Sequence, residues 1–188
     1  MRKTLPQSPI AYLALCLSAL ALLLTSGCRS YQLGHAGELP YDSIFVKPAQ
    51  NNSYAPQAQA LLSSDLRQKI LRDTRVKLVA TEANADVILY IDIVDYDRRP
   101  TARSEADTVV ARDFDLTLTA RCSLYDQENG RYLFQNREVS QRTNAYTENP
   151  YAQTLAEQQG FLQSEYNAMP LLTRDLAQKI ADEVLRTW

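Results

Sequence analysis

The segment Arg112–Tyr125, RDFDLTLTARCSLY, alternates without interruption. Phe114, Leu116, Leu118, Ala120, Cys122 and Leu124 fall on one side; Asp113, Asp115, Thr117, Thr119, Arg121 and Ser123 fall on the other. A period of two is that of an extended strand, whose successive side chains point to opposite faces. One apolar and one polar face mark a sheet that covers a core on one side and meets water on the other. Asp126–Gly130 supplies a turn, and the chain from Arg131 to about Thr143 returns with Tyr132 and Phe134, so a long antiparallel pair is expected.

The flanking segments extend this sheet. Asp86–Tyr96 (DVILYIDIVDY) reads as a strand apolar on both faces, with Val87, Leu89, Ile91 and Ile93 on one and Ile88, Tyr90, Val94 and Tyr96 on the other. Such a strand belongs in the middle of a sheet covered on both sides. Its second face exceeds what the same helices can cover, which makes Ile88, Tyr90, Val94 and Tyr96 a candidate partner-binding surface. The aperiodic stretch from Asp97 to Val110 reads as a loop, and Arg98, Arg99, Arg103 and Arg112 cluster around it. Arginine matches phosphate and carboxylate bidentately, so these four are candidate ligand contacts.

Further out, Ser43–Lys47 and Arg75–Ala80 read as shorter strands. Between them Ala58, Leu62, Leu66 and Ile70 recur at helical spacing, with Leu61 and Leu71 widening the stripe. They predict an amphipathic helix of about 16 residues. Asn149-Pro150 has the form of a cap followed by a first-turn proline. Leu155, Leu162, Tyr166, Met169, Leu172, Leu176, Ile180, Val184 and Trp188 then keep one helical phase, which Gly160 and Pro170 are expected to interrupt or kink. The sum is an α+β domain, a two-layer sandwich in which a mixed sheet of about four to five strands carries both helices on one face.

At 188 residues the chain has room for one domain with a real core, and a net charge of -2 gives no basic excess for nucleic acid. The first 27 residues stand apart. After Arg2 and Lys3, the run Ile10–Leu24 carries no charge. As a helix it spans about 22 Å, short of the roughly 30 Å hydrocarbon core of a bilayer. That is the pattern of a secretory signal peptide. Leu24-Thr25-Ser26-Gly27-Cys28 resembles a bacterial lipoprotein signal, in which Cys28 takes diacylglycerol and, after cleavage, a further acyl chain. Two or more chains hold a protein stably on a membrane. Arg29, rather than aspartate, resembles the outer-membrane sorting choice. The expected layout is a signal peptide at 1–27, a lipidated cysteine and tether at 28–42, and the domain at 43–188. Cleavage leaves 18 basic against 22 acidic residues, a net charge of -4. Cys122 is then the single free thiol, and no disulfide forms within one mature chain.

Catalytic equipment is sparse. The single histidine, His35, falls in the tether, and Cys122 falls on the apolar side of its strand, where a thiol behaves as a small hydrophobe. Asp113 and Asp115 share a face at about 7 Å, a separation found in inverting glycosidases, but threonines, an arginine and a serine surround them as on an ordinary solvated sheet. Asp92, Asp95 and Asp97 lack the loop glycine of a calcium site, and no glycine-rich phosphate loop is present. The expectation is a protein without catalytic residues, metal or cofactor.

Several strings together carry a family resemblance. Gly27-Cys28-Arg29-Ser30-Tyr31-Gln32-Leu33-Gly34 resembles the opening of the LptE family of lipopolysaccharide-assembly lipoproteins. Ile44-Phe45-Val46-Lys47-Pro48 followed by Asn51-Asn52-Ser53-Tyr54 is similar to that family's first strand and asparagine-rich turn. Ala85–Leu89 resembles its third-strand entry, and Leu116–Leu118 through Leu124–Asp126, Gly130 and Asn136-Arg137 resemble its central hairpin. The resemblance implies a periplasm-facing, lipid-anchored plug inside the LptD outer-membrane barrel, helping lipopolysaccharide to the cell surface. The arginine cluster would then contact lipopolysaccharide. A rival with the same anchor, strand, turn and helix is a different outer-membrane lipoprotein, such as an activator of peptidoglycan synthases.

Overall fold

The computed structural model describes residues 39–103, 111–146 and 160–186. Its elements are β1 (Ser43–Val46), β2 (Gln50–Asn51), α1 (Ala58–Arg72), β3 (Lys77–Leu78), a 3-10 turn (Glu82–Asn84), β4 (Val87–Arg103), β5 (Ala111–Asp126), β6 (Arg131–Tyr146) and α2 (Phe161–Val184). The strands form one mixed sheet in the order β3-β1-β4-β5-β6, with β2 also pairing β4. β1 runs parallel to β3 and β4, whereas β4–β5 and β5–β6 are antiparallel. Parallel neighbours need a crossover, and α1 supplies it between β1 and β3.

The alternation of β5 sets the core. Leu116, Leu118, Ala120, Cys122 and Leu124 are buried, and they join Val87, Leu89, Ile91 and Ile93 of β4, Ile44 and Val46 of β1, and the apolar stripes of both helices. Ala58, Leu62, Leu66 and Ile70 are the buried positions of α1, as their spacing requires, and Lys69 and Arg72 complement the dipole in its last turn. Asp65 accepts from Thr173 at 3.2 Å and Lys69 donates to Gln178 at 2.8 Å. These two rungs rise together along both helices, so α1 and α2 run in the same direction. The fold is α+β with both helices on one face of an open mixed sheet.

Four local expectations are corrected. The stretch from Asp97 to Arg103 is not loop: β4 continues through it, paired with β5 as far as Arg103↔Ala111. Its polar and charged side chains hide the strand from hydrophobic periodicity, while cross-strand pairing maintains it. Of Arg75–Ala80 only Lys77–Leu78 pair, opposite Ser43 and Ile44, and Val76 before them is buried in the core. Leu71 is 70% exposed and lies off the stripe of α1. Leu162 and Tyr166 likewise lie off the stripe of α2, whose buried side is Ser164, Glu165, Met169, Leu172, Thr173, Leu176, Ala177, Ile180, Ala181 and Val184. Of the two expected breaks, Gly160 is the cap at which α2 starts, whereas Pro170 does not interrupt α2, which runs through it. Pro170 lies on the solvent side, where water can satisfy the carbonyl that loses its donor. Leu155, Trp188 and the Asn149-Pro150 start lie outside the described residues.

Two clamps fix the end where the domain begins. The Tyr41 hydroxyl, buried, donates to the Val184 carbonyl at 2.6 Å, tying the entry of the domain to the end of α2. Burial raises the pKa of this phenol despite the opposing charge of Arg75. Arg75 grips Asp73 with two nitrogens and donates to the Leu185 carbonyl at 3.2 Å. Beside them, the Asp86 carboxylate accepts the backbone N–H groups of Asp42 and Ser43 at 3.0 and 2.8 Å, fastening the start of β1 to that of β4.

Leu118→Ala should destabilise the domain by about 2–5 kcal/mol, the range for buried leucine truncation, read from urea unfolding. Asp86 gives a pH prediction. Partial burial pushes its pKa up, but hydrogen bonds from Ser43 and Asp42 outweigh it and hold the carboxyl below its ordinary value. The stabilisation is complete above the unfolded-state pKa near 3.9 and is lost as pH falls through the folded value. Asp86→Asn should flatten the acid limb of urea midpoint against pH, and an unchanged acid limb would remove this role.

Candidate functional site

The end of the sheet remote from Tyr41 gathers the expected arginines. A register shift between Ile93 and Asp95 makes β4 change face, so Tyr96 pairs with Leu118 and Arg98 with Leu116, on the helix side. There the Tyr96 hydroxyl donates to Glu165 at 2.6 Å and Arg98 approaches the same carboxylate oxygen at 3.4 Å. Glu165 is buried, and these two donors supply what a withdrawn carboxylate requires. The Arg98 guanidinium also lies 5.7 Å from the Tyr96 ring and 5.8 Å from that of Phe161, while Phe161 packs on Phe114 at 4.3 Å between centroids. Burial, then the neighbouring Glu165, raises the pKa of Tyr96.

Arg99 differs. Its side chain is 80% exposed and, among the described residues, is paired with Asp97. Arg103 and Arg112 bring their backbones to the last stretch of the same β4–β5 pair. Tyr146, Leu162 and Tyr166 are exposed at this end, and Ser164 donates to the Tyr146 carbonyl, setting the close of β6 beside the first turns of α2. Exposed arginine and exposed apolar side chains at one end of the domain are chemistry suited to an anionic amphiphile.

The face away from the helices forms a second surface. Phe45 is in register with Ile88, Ile88 with Tyr125, and Tyr125 with Tyr132, so an aromatic and apolar row crosses four strands. Tyr125 and Tyr132 meet edge to face at 5.1 Å. The next positions are Tyr90, with the Lys47 ammonium 5.0 Å from its ring, and Ser123; then comes the charged row Asp92, Arg121 and Glu138. Ile88 and Tyr90 thus share this face, Ile88 buried and Tyr90 half-buried; Val94 sits half-buried at the bulge, and Tyr96 is separated from them on the opposite face. Sequence periodicity does not bring Phe45, Tyr125 and Tyr132 together on this face, because their meeting depends on cross-strand register.

Other expected residues have structural roles or fall outside the description. Cys122 is buried, and burial, with Asp92 and Glu183 nearby, pushes its thiol up to about 12, which suppresses the thiolate. Asp115 accepts from Arg142 and from Asn144, the latter at 3.0 Å, so this carboxylate serves to join β5 to β6. Among the described residues no group of acids, histidine or cysteine is arranged to hold a metal ion, and no helix is long and apolar enough to cross a membrane. Cys28 and His35 lie outside the described residues. The Tyr96–Glu165 bond should show a coupling of about 1–3 kcal/mol in a Tyr96→Phe, Glu165→Gln double-mutant cycle, the range for hydrogen bonds to charged groups. Glu165→Ala alone should speed amide exchange in the first turns of α2.

Against known proteins, the family model LptE, Lipopolysaccharide-assembly, matches residues 41–187. No curated protein matches the chain. Among solved structures, lipoprotein B from Nitrosomonas europaea superposes with a TM-score of 0.51 at 19% identity, over 84% of this chain and 88% of its own. The protein CT253 from Chlamydia trachomatis gives 0.52 at 11% identity, over 77% and 96%. XCC0632 from Xanthomonas campestris gives 0.52 at 12%, over 79% and 85%. At these identities the three share a fold with this chain. The family match takes in every strand and both helices, from the Tyr41 clamp to beyond the end of α2, and the chain belongs to the LptE lipopolysaccharide-assembly family.

Proposed function

We propose that this protein is an outer-membrane lipoprotein, anchored through acylated Cys28 after loss of residues 1–27, that seats in an LptD-like barrel and assists lipopolysaccharide assembly at the cell surface. Family membership over residues 41–187 is the observation that carries the reading. The architecture supports it, because both helices pack on one side and leave the row Phe45, Ile88, Tyr125 and Tyr132 on the other. A barrel wall could cover the accessible members of that row; Tyr90 and Val94 are then partner contacts, whereas Ile88 is already buried within the row and Tyr96 is a positioning residue at the far end. Lipopolysaccharide joins phosphates to acyl chains. Arg99 is the best placed of the four arginines to meet a phosphate, with Arg98 partly committed to Glu165 and Arg103 and Arg112 on the adjoining backbone. Nothing in this role requires a catalytic residue or cofactor.

Affinity purification through a C-terminal tag should recover a large outer-membrane barrel, and depletion should lower surface lipopolysaccharide. Recovery of a peptidoglycan synthase alone would favour the rival lipoprotein role instead. Arg98→Ala with Arg99→Ala should weaken lipopolysaccharide binding by about tenfold, equivalent to 1.4 kcal/mol, in a fluorescence competition assay. Cys28→Ala should block acylation and processing; a processed, membrane-bound variant would refute the anchor.

A further inference from the structure

The edge of the sheet beside α1 carries features beyond the barrel and lipopolysaccharide contacts, with Phe45 alone shared between this edge and the barrel-facing row. β3 is the edge strand there. Lys77 and Val79 turn their N–H groups inward, to the carbonyls of Asp42 and Ile44 at 2.8 and 3.0 Å. Strand alternation therefore turns the N–H and C=O of Leu78 outward, away from β1. Two adjoining cavities of about 410 and 290 Å³ open along this edge and share Arg67 and Leu78 as walls. Leu71, one turn beyond Arg67 and 70% exposed, flanks the first, and Phe45 and Val79 line the second.

Arg67 is the only charged residue lining either cavity. One nitrogen donates to the Val46 carbonyl at 3.1 Å, on the side of β1 that β3 has ceased to cover. No other hydrogen bond or ion pair engages Arg67 among the described residues, so most of its five donors remain for a ligand. An open strand edge recognises extended backbone, apolar walls take alternate side chains, and a guanidinium takes a carboxylate in a forked pair. We propose that this groove docks an extended peptide segment of a protein partner, added as a strand outside β3, with an acidic side chain of that segment on Arg67. The outward amide of Leu78 favours a peptide over a fatty acid, which has no backbone to pair with it.

The test uses the purified protein, isotopically labelled, and three capped heptapeptides of alternating valine and threonine that carry a central aspartate, asparagine or lysine. The aspartate peptide should shift the amide signals of Leu78, Val79 and Ala80 and the Arg67 Nε signal. It should bind about tenfold more tightly than the lysine peptide, as expected for a charge-assisted contact. Arg67→Gln should abolish the preference for aspartate over asparagine. Leu71→Glu, a surface change that leaves the Val46 contact intact, should weaken the aspartate peptide while circular dichroism stays unchanged. Equal affinity for the aspartate and lysine peptides, or no response at Leu78–Ala80, would overturn the proposal. So would a response of these signals to sodium laurate but not to the peptides, which would make the groove a lipid site.

Discussion

Leu116, Leu118 and Leu124 are withdrawn from water between the neighbouring strands and the helices, and the other elements take their positions from covering them. A strand with this strict alternation has one face that must be dry and one that need not be. β4 and β6 flank it in antiparallel register, and the apolar stripes of α1 and α2 close the dry side. The parallel β1–α1–β3 unit is attached to the free edge of β4 and extends the same core. Both described helices therefore lie on one side, and among the described residues no helix packs on the opposite side.

The change of face at the β4 bulge divides the molecule functionally. Before it, even-numbered residues of β4 look outward with Ile88 and Tyr90; after it, Tyr96 and Arg98 look toward the helices. The bulge thus removes one tyrosine from the outer surface and gives it to Glu165. Without that inward hydroxyl, a carboxylate on the buried side of α2 would be satisfied by Arg98 alone. The far half of β4 is polar, yet it is held as strand by pairing on one side and by this cluster of Phe114, Phe161, Tyr96, Arg98 and Glu165 on the other.

Much of the fold was legible in the sequence because periodicity reports burial. The alternation of Arg112–Tyr125 and the four-residue spacing of Ala58, Leu62, Leu66 and Ile70 each identified an element and its inward side. What periodicity could not report was pairing. Asp97–Arg103 has no hydrophobic period, so its strand character, imposed by β5, was invisible. Tyr96 was assigned to the wrong face because a bulge is a property of two strands rather than one. Leu162 and Tyr166 kept nearly the right phase for the α2 stripe but fall on its solvent side, since a drift of a fraction of a turn over several residues suffices. Of the candidate surface, the shared face of Ile88 and Tyr90 was readable, whereas the row through Phe45, Tyr125 and Tyr132, the parting of Arg98 from Arg99 onto opposite faces and the buried partner of Arg98 emerge only once register is known.

The clamps at Tyr41 and Asp86 have a mechanical consequence. Tension on the chain before Tyr41 meets a hydroxyl bonded to the end of α2 and a carboxylate bonded across to the start of β4 before it can load β1. Beyond those two points, β1 is held by parallel neighbours on both sides. A pull along its axis must slide several hydrogen bonds together, whereas a pull across it would open them one at a time. The domain is therefore toughest when hauled lengthwise by its leading end.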